Sequence, residues 1–335
     1  MNPIDLKITE LYKQEFRNLQ QSQLILEFNG KTSNTVLVNT FRRCCYDYIP
    51  TYAFPSEGIT IDKNTSITNN DMMRLRLSQI TIPKIKNKIH YLEDKFWKGV
   101  IYNDPNREKH QDDKKVLELY ITATNNTNDI MSVTTEYAKV YEDGTELKDK
   151  FDSKFPCLII KLRPGEVFSC RCLGILGIGK NNNIWAGSGN GYFEDYEDDP
   201  HRVKLTLESQ GQFDEYELMY KSCIVLKEKL KLVKNLAEEK YDLPEIKDST
   251  VLNIVLENED HTIGNLINEY LQVNKNIIYS GLSKPNLVVD TVIIKFESVK
   301  NDPIKPFLET INYIIDLINH IEIQIVKLGG KYINK

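Results

Sequence analysis

The sequence is poor in most of what marks an enzyme. Its five histidines, at 90, 110, 201, 261 and 320, are scattered. No HExxH, G-x-S-x-G or paired-carboxylate pattern accompanies them, which excludes the familiar zinc-hydrolase and serine-hydrolase signatures. The six cysteines, at 44, 45, 157, 170, 172 and 223, include no C-x2-C pair of the kind that grips zinc or an iron–sulfur cluster. They read as buried reduced thiols, with no metal and no cofactor. No apolar run approaches the ~18 residues of a membrane span. Charges interrupt the first 16 residues where a signal peptide needs an apolar stretch. An intracellular chain is therefore expected, with chance sequons at Asn64 and Asn125. Positive charge is also short: the formal net charge of −5 leaves no general basic surface to displace counterions from a nucleic acid, so any such contact is expected only through a partner.

What is present is ordinary globular material. Of the 335 residues, 41% are hydrophobic and 27% charged, enough for roughly two domains with cores of their own. An apolar patch at 24–28, ended by Asn29-Gly30, predicts a strand and turn. A helix follows, with caps at Ser33 and Asn34 and an apolar stripe of Val38, Phe41, Cys45 and Tyr48, stopped by Pro50. A short helix is expected at 71–77. A polar excursion runs over 84–115, with a turn at Asn103-Asp104-Pro105, and strands are expected at 116–123, 157–162, 168–175 and 203–208. A long helix spans 215–239, and Asp242-Leu243-Pro244 opens the clearest linker. Then come a strand at 251–256, a helix carrying Ile263, Leu266, Ile267, Tyr270 and Leu271, a strand at 287–297, and a last helix from Pro306. The orders of elements in 24–50 and 251–271 are alike, each placing an asparagine, Asn39 or Asn265, early in its helix, and each region ends in a long amphipathic helix. Two such units can pack about a pseudo-twofold axis within one chain.

Three motifs carry possible chemistry. Asn39, Arg42 and Arg43 set an amide and two guanidinium forks on one polar helix face, suited to carboxylates or carbonyls of a partner; alternatively the face is simply solvated. Gly174-x4-Gly179-Lys180 approaches a phosphate-binding loop, but Asn181 stands where a magnesium-binding Ser or Thr belongs. A turn presenting Lys180 and Trp185 to a partner is the competing reading. The acidic run 194–199 could mimic a metal site, yet consecutive carboxylates in an extended segment cannot all face one ion, and a solvated loop is expected.

The segment Asn258-Glu-Asp-His-Thr-Ile-Gly-Asn-Leu-Ile-Asn resembles the signature of the small, L-type α-like subunit of archaeal and eukaryotic RNA polymerases. Tyr279-Ser-Gly-Leu-Ser-Lys-Pro and Val292-Ile-Ile-Lys-Phe follow in that family's order, with Pro285-Asn286-Leu287 in place of its His-Pro-Leu. The earlier part resembles the larger D-type partner through Asn39-Thr-Phe-Arg-Arg, Ile49-Pro50-Thr51-Tyr52-Ala53, Leu162-Arg-Pro-Gly-Glu, Gly177-Ile-Gly-Lys, Trp185 and Leu207-Glu-Ser-Gln-Gly-Gln. Fusion of the two is similar to what large cytoplasmic DNA viruses encode.

The resemblance implies an α+β fold of two RNA polymerase α-like dimerisation units in one chain. Residues 1–50 and 201–243 would form the D-like unit, 51–200 an inserted mainly-β domain, 244–249 a linker and 250–335 the L-like unit. It implies a non-catalytic scaffold that docks the two largest polymerase subunits and small polymerase subunits, in a virion or host cytoplasm if viral. No homo-oligomer and no membrane contact are expected. Partner contacts are assigned to Asn39, Arg42, Arg43, Lys180 and Trp185, and internal dimerisation to Leu226, Leu230, Asn265, Ile314 and Ile318. A nucleotide-binding enzyme using the 174–180 loop and a free-standing adaptor with a polymerase-derived fold are the alternatives.

Overall fold

The computed structural model describes residues 3–333 except 16–21, 84, 86, 105, 149, 152, 242 and 287. Parts of the expectations at Lys84, Pro105, Asp242 and Leu287 lie outside the described residues.

Alternation of apolar and polar residues builds an antiparallel sheet from β1 (Lys7–Gln14), β2 (Gln23–Asn29), β11 (Ser188–Tyr196) and β12 (Asp199–Ser209), in the order β1-β2-β12-β11. The register sets Val203, Leu205 and Leu207 opposite Phe28, Leu26 and Leu24. Because side chains alternate along a strand, these six fall on one face, and all are buried. Helix α1 (Thr35–Asp47) adds Leu37, Val38, Phe41, Cys44 and Cys45 to the same core; Asn34 caps it by accepting from the Leu37 N–H at 2.8 Å. The 27-residue α3 (Glu215–Tyr241) packs against α1 and this sheet.

A second sheet is built from β3 (Thr51–Ala53), β4 (Ile59–Asn64), β5 (Leu117–Thr124), β7 (Ala138–Glu142), β8 (Thr145–Leu147) and β10 (Val167–Gly177), beside a two-stranded ribbon of β6 (Met131–Thr134) and β9 (Leu158–Leu162). Helix α2 (Asn70–Ser78) lies against β4. The segment between α2 and β5 is anchored to α3 by Lys221, whose Nζ donates to the Asn87 carbonyl at 3.0 Å; burial pushes this ammonium down to about 8.

After the one-turn α4 (Pro244–Lys247), the remaining chain forms β13 (Val251–Glu257), α5 (His261–Val273), β14 (Ile277–Ser283), β15 (Thr291–Ser298) and α6 (Ile304–Gly329). The strand order is β13-β15-β14. Leu252, Ile254 and Leu256 oppose Phe296, Ile294 and Val292, all buried on one face. The Phe296 and Phe307 rings stack 5.6 Å apart.

The expected helices are all present, and the architecture is mixed α and β. Two differences concern the stretch 177–200. The turn carrying Lys180 and Trp185 gives way at Ser188 to β11, and the acidic run is the end of the β11–β12 hairpin rather than a free loop. Glu194 pairs with Lys204, and Tyr196 donates to Glu27 at 3.0 Å. Residues 188–199 thus belong to the first sheet, so the boundary expected at 200 falls inside a hairpin. Paired partners across the sheet decide this, and the local composition does not record them.

Candidate functional site

The longest apolar stripes of the chain meet each other. Helix α3 packs along α6, and the polar links between them fix the direction: Tyr216 stacks on Tyr332 at 5.8 Å, Lys227 reaches Glu322 at 2.5 Å and Lys234 reaches Asn312 at 3.0 Å. Numbers rise on one helix as they fall on the other, so the pair is antiparallel. Leu226, Leu230, Ile314 and Ile318 are at most 1% exposed within it. Gly329 lies where α6 meets Tyr216; a Cβ there would stand 2.1 Å from the ring.

Helices α1 and α5 form a second crossing with a reciprocal pattern. The later half of α1 lies against the N-terminus of α5, where Arg43 Nη2 donates to Asp260 Oδ2 at 3.0 Å and the Tyr48 hydroxyl donates to it at 3.2 Å. The later half of α5 returns the contact, since the Tyr270 hydroxyl donates to the Thr32 carbonyl at 2.9 Å. Both helices have 13 residues and an Asn or Asp N-cap. The edge of β1 is closed by α6: Gln324 accepts from the Ile8 N–H at 2.8 Å and donates to the Leu6 carbonyl at 2.9 Å, taking the place of a neighbouring strand.

Charge concentrates where α1, the 178–187 turn, α3 and the β13–α5 turn converge. Lys180 Nζ lies 2.9 Å from Asp290 and 3.9 Å from Asp260, and Lys229 Nζ lies 2.7 Å from Glu259. Burial alone would raise the Asp260 carboxyl, but hydrogen bonding by Thr262 and the Arg43 and Lys180 charges outweigh it and hold the pKa at about 2. Burial raises Glu259 in spite of Lys229.

These shifts give a signed pH dependence. Asp260 has a folded pKa below its ordinary 3.8, so its contribution is fully present above about pH 4 and disappears as pH falls through 2. The shift corresponds to about 2 kcal/mol. Glu259 acts oppositely, because protonating a raised carboxyl relieves its burial. Asp260→Asn isolates the first effect: urea unfolding should show the variant about 2 kcal/mol less stable at pH 6, with the two curves converging near pH 2. A difference independent of pH would refute the assignment.

The expected site residues divide. Leu226, Leu230, Ile314 and Ile318 lie buried on the two packed helices, whereas Asn265 is exposed on α5 and takes no part in that seam. Position five of a helix whose buried face is Ile263, Leu266, Ile267 and Tyr270 points to solvent. Asn39 and Arg42 are half-buried and bonded to each other, Nε to Oδ1 at 2.9 Å. Arg43 and Lys180 are engaged within the chain by Asp260 and Asp290, not held out for a partner. Trp185 is 1% exposed and donates from Nε1 to the Ile175 carbonyl at 2.8 Å. It is a core residue, because Gly177 lets its ring approach within 2.6 Å of where a Cβ would be.

The same geometry accounts for the glycines of the 174–180 stretch. Cβ atoms at 174 and 179 would meet Leu117 at 2.9 Å and the Tyr46 carbonyl oxygen at 2.1 Å. Strand β10 leads into a turn and a short 3-10 segment at Asn183–Trp185, without the long helix whose N-terminus receives phosphate in a P-loop. Among the described residues, no group of three or more His, Cys, Asp or Glu could hold a metal ion, and no helix is long and apolar enough to cross a membrane. Glu259 and Asp260 fall within the signature segment that begins at Asn258, but the sequence assigned them no individual role, and Asp290 was not singled out.

Residues 251–324 match the RNA polymerase Rpb3/Rpb11 dimerisation domain. Over 326 residues the chain is 25% identical to a protein described as a DNA directed RNA polymerase subunit of Acanthamoeba polyphaga mimivirus, covering 90% of each. The resemblance read from the motifs, to a fused polymerase α-like subunit of large DNA viruses, agrees with both findings.

Proposed function

We propose that the chain is a non-catalytic assembly subunit of a DNA-directed RNA polymerase, in which a D-like and an L-like dimerisation unit are joined and paired in cis. The observation that carries this reading is the antiparallel α3–α6 seam, formed between the segment matching the polymerase dimerisation domain and the part of the chain that precedes it. The reciprocal α1–α5 crossing supports it, being the pattern a pseudo-twofold axis produces. In this reading the first unit comprises 1–50 and about 187–243, with the insert between them, and the second comprises 250–335.

The paired units serve as a rigid platform for the two largest polymerase subunits and small subunits. Nucleic acid is met only through the complex, in a virion or host cytoplasm if the source is viral. Asn39 and Arg42 remain the partner-facing residues of α1, while Arg43 and Lys180 hold the platform together. Co-expression with the two largest subunits of the cognate polymerase, followed by purification through a tag on this chain, should retain both large subunits. Recovery of the chain alone under low-salt conditions would reject the reading.

A further inference from the structure

The ion pairs that join the two halves of the chain have a single polarity. Among the described residues, the cations come from before residue 242: Arg43, Lys180, Lys227 and Lys229. Their anions come from after 250: Asp260, Asp290, Glu322 and Glu259. Lys98 follows the same direction in donating to Asn258 at 2.5 Å.

The helix alignment shows what this polarity excludes. Arg43 lies nine residues past the α1 cap Asn34, and Glu269 lies nine residues past the α5 cap Asp260. Arg43 and Glu269 therefore occupy corresponding positions at the crossing. If two C-terminal units paired with each other, Glu269 of one would face Asp260 of the other with neither Arg43 nor Lys180 to offset it, while Asp290 would keep only Lys284, 3.2 Å away in its own half. If two N-terminal units paired, Arg43 would face the neutral Asn34, and Lys229 would lose Glu259. Like charges brought together in a partly desolvated crossing oppose association strongly, while in the observed arrangement Asp260, Asp290, Glu322 and Glu259 each face a cation of the other half.

We infer that Arg43, with Lys180 and Lys229, is a specificity determinant that makes the two halves of this chain pair with each other rather than each with its own kind. The inference rests on the proposed cis pairing of the two units and adds to it a code for partner choice. Apolar stripes alone do not provide one, because α3 and α6 each present a surface that could pack on a copy of itself. Discrimination between similar hydrophobic faces requires an element that penalises the wrong pair.

The full chain can be tested after folding, with a protease site placed in 244–249 and cut. Native mass spectrometry of the wild-type protein should show one N-terminal with one C-terminal fragment and no like-with-like pairs. Arg43→Asp should raise the dissociation constant between fragments by about 30-fold or more, the lower end of the effect of breaking a buried charge pair. Arg43→Asp with Asp260→Arg should recover part of that loss, the remainder being the α5 N-cap and the Lys180 contact that an arginine at 260 cannot supply. Glu269→Arg should let C-terminal fragments pair with each other, since the introduced arginine can reach Asp260 of a second copy. Melting and circular dichroism of the uncut variants show that each is folded. Like-with-like pairs in the wild type, or no recovery in a folded double variant, would overturn the inference. If the wild-type fragments separate on cutting, the cis pairing itself is wrong and the code falls with it.

Discussion

Leu230→Asp, in a chain cut within the 244–249 linker, is expected to release the C-terminal fragment that the wild-type protein retains. Leu230 is fully buried on α3 where it packs along α6, and the nearby Lys227 and Lys229 are already paired with Glu322 and Glu259. A carboxylate placed there has no partner, and burying it costs several kcal/mol. At about 4 kcal/mol the fragments would dissociate roughly 1000-fold more readily. Ile318→Asp on the facing helix should behave alike. Leu230→Ala, expected to cost about 2–5 kcal/mol by leaving a cavity, separates lost packing from introduced charge. Size-exclusion chromatography of the cut proteins reads the outcome. Co-elution of both Asp variants as intact pairs, with unchanged helical content, would show that α3 and α6 are not each other's main apolar support.

Gly179→Ala is expected to lower stability by about 3 kcal/mol, the upper end of ordinary overpacking. The added methyl would lie 2.1 Å from the Tyr46 carbonyl oxygen and 3.1 Å from the Ala186 Cα. Both neighbours are backbone, so neither can rotate aside. The change should also disturb Lys180, whose N–H donates to the Asp47 carbonyl at 2.8 Å and whose ammonium pairs with Asp290. Thermal unfolding checks the stability effect. Titration with a fluorescent Mg-nucleotide checks the alternative use of this stretch: the packing account expects no saturable binding by the wild type. A stable Gly179→Ala variant that had lost measurable nucleotide affinity would restore the phosphate-loop reading.

The helices were legible because their signals are local. The cap at Asn34, and the stripes Val38, Phe41, Cys45 and Ile263, Leu266, Ile267, Tyr270, depend on spacing within a few turns. β1 and β11 were not legible. β1 has few buried residues and draws its order from β2 and from Gln324 on the distant α6. β11 begins in a Gly/Ser/Asn stretch and ends among acidic residues, a composition that locally reads as loop.

The candidate site divides along the same line. The apolar seam residues could be found by periodicity, but the pairing of Arg43 and Lys180 with Asp260 and Asp290 could not, because these carboxylates lie far from them in sequence, beyond the reach of any local pattern. Trp185 shows the converse error: a tryptophan beside glycines and asparagines looked displayed, whereas the glycine gap is what lets the ring bury itself. In this chain, glycine marked close packing more often than chain freedom.

Whether one chain supplies both members of an α-like pair is read from the stoichiometry of the assembled polymerase. Native mass spectrometry of the complex assembled with the two largest cognate polymerase subunits reports how many copies of this chain it holds. One copy, and no separate small α-like chain, is expected in an assembly that retains both large subunits. Two copies of this chain, or a requirement for an additional L-type subunit before the large subunits bind, would contradict pairing in cis.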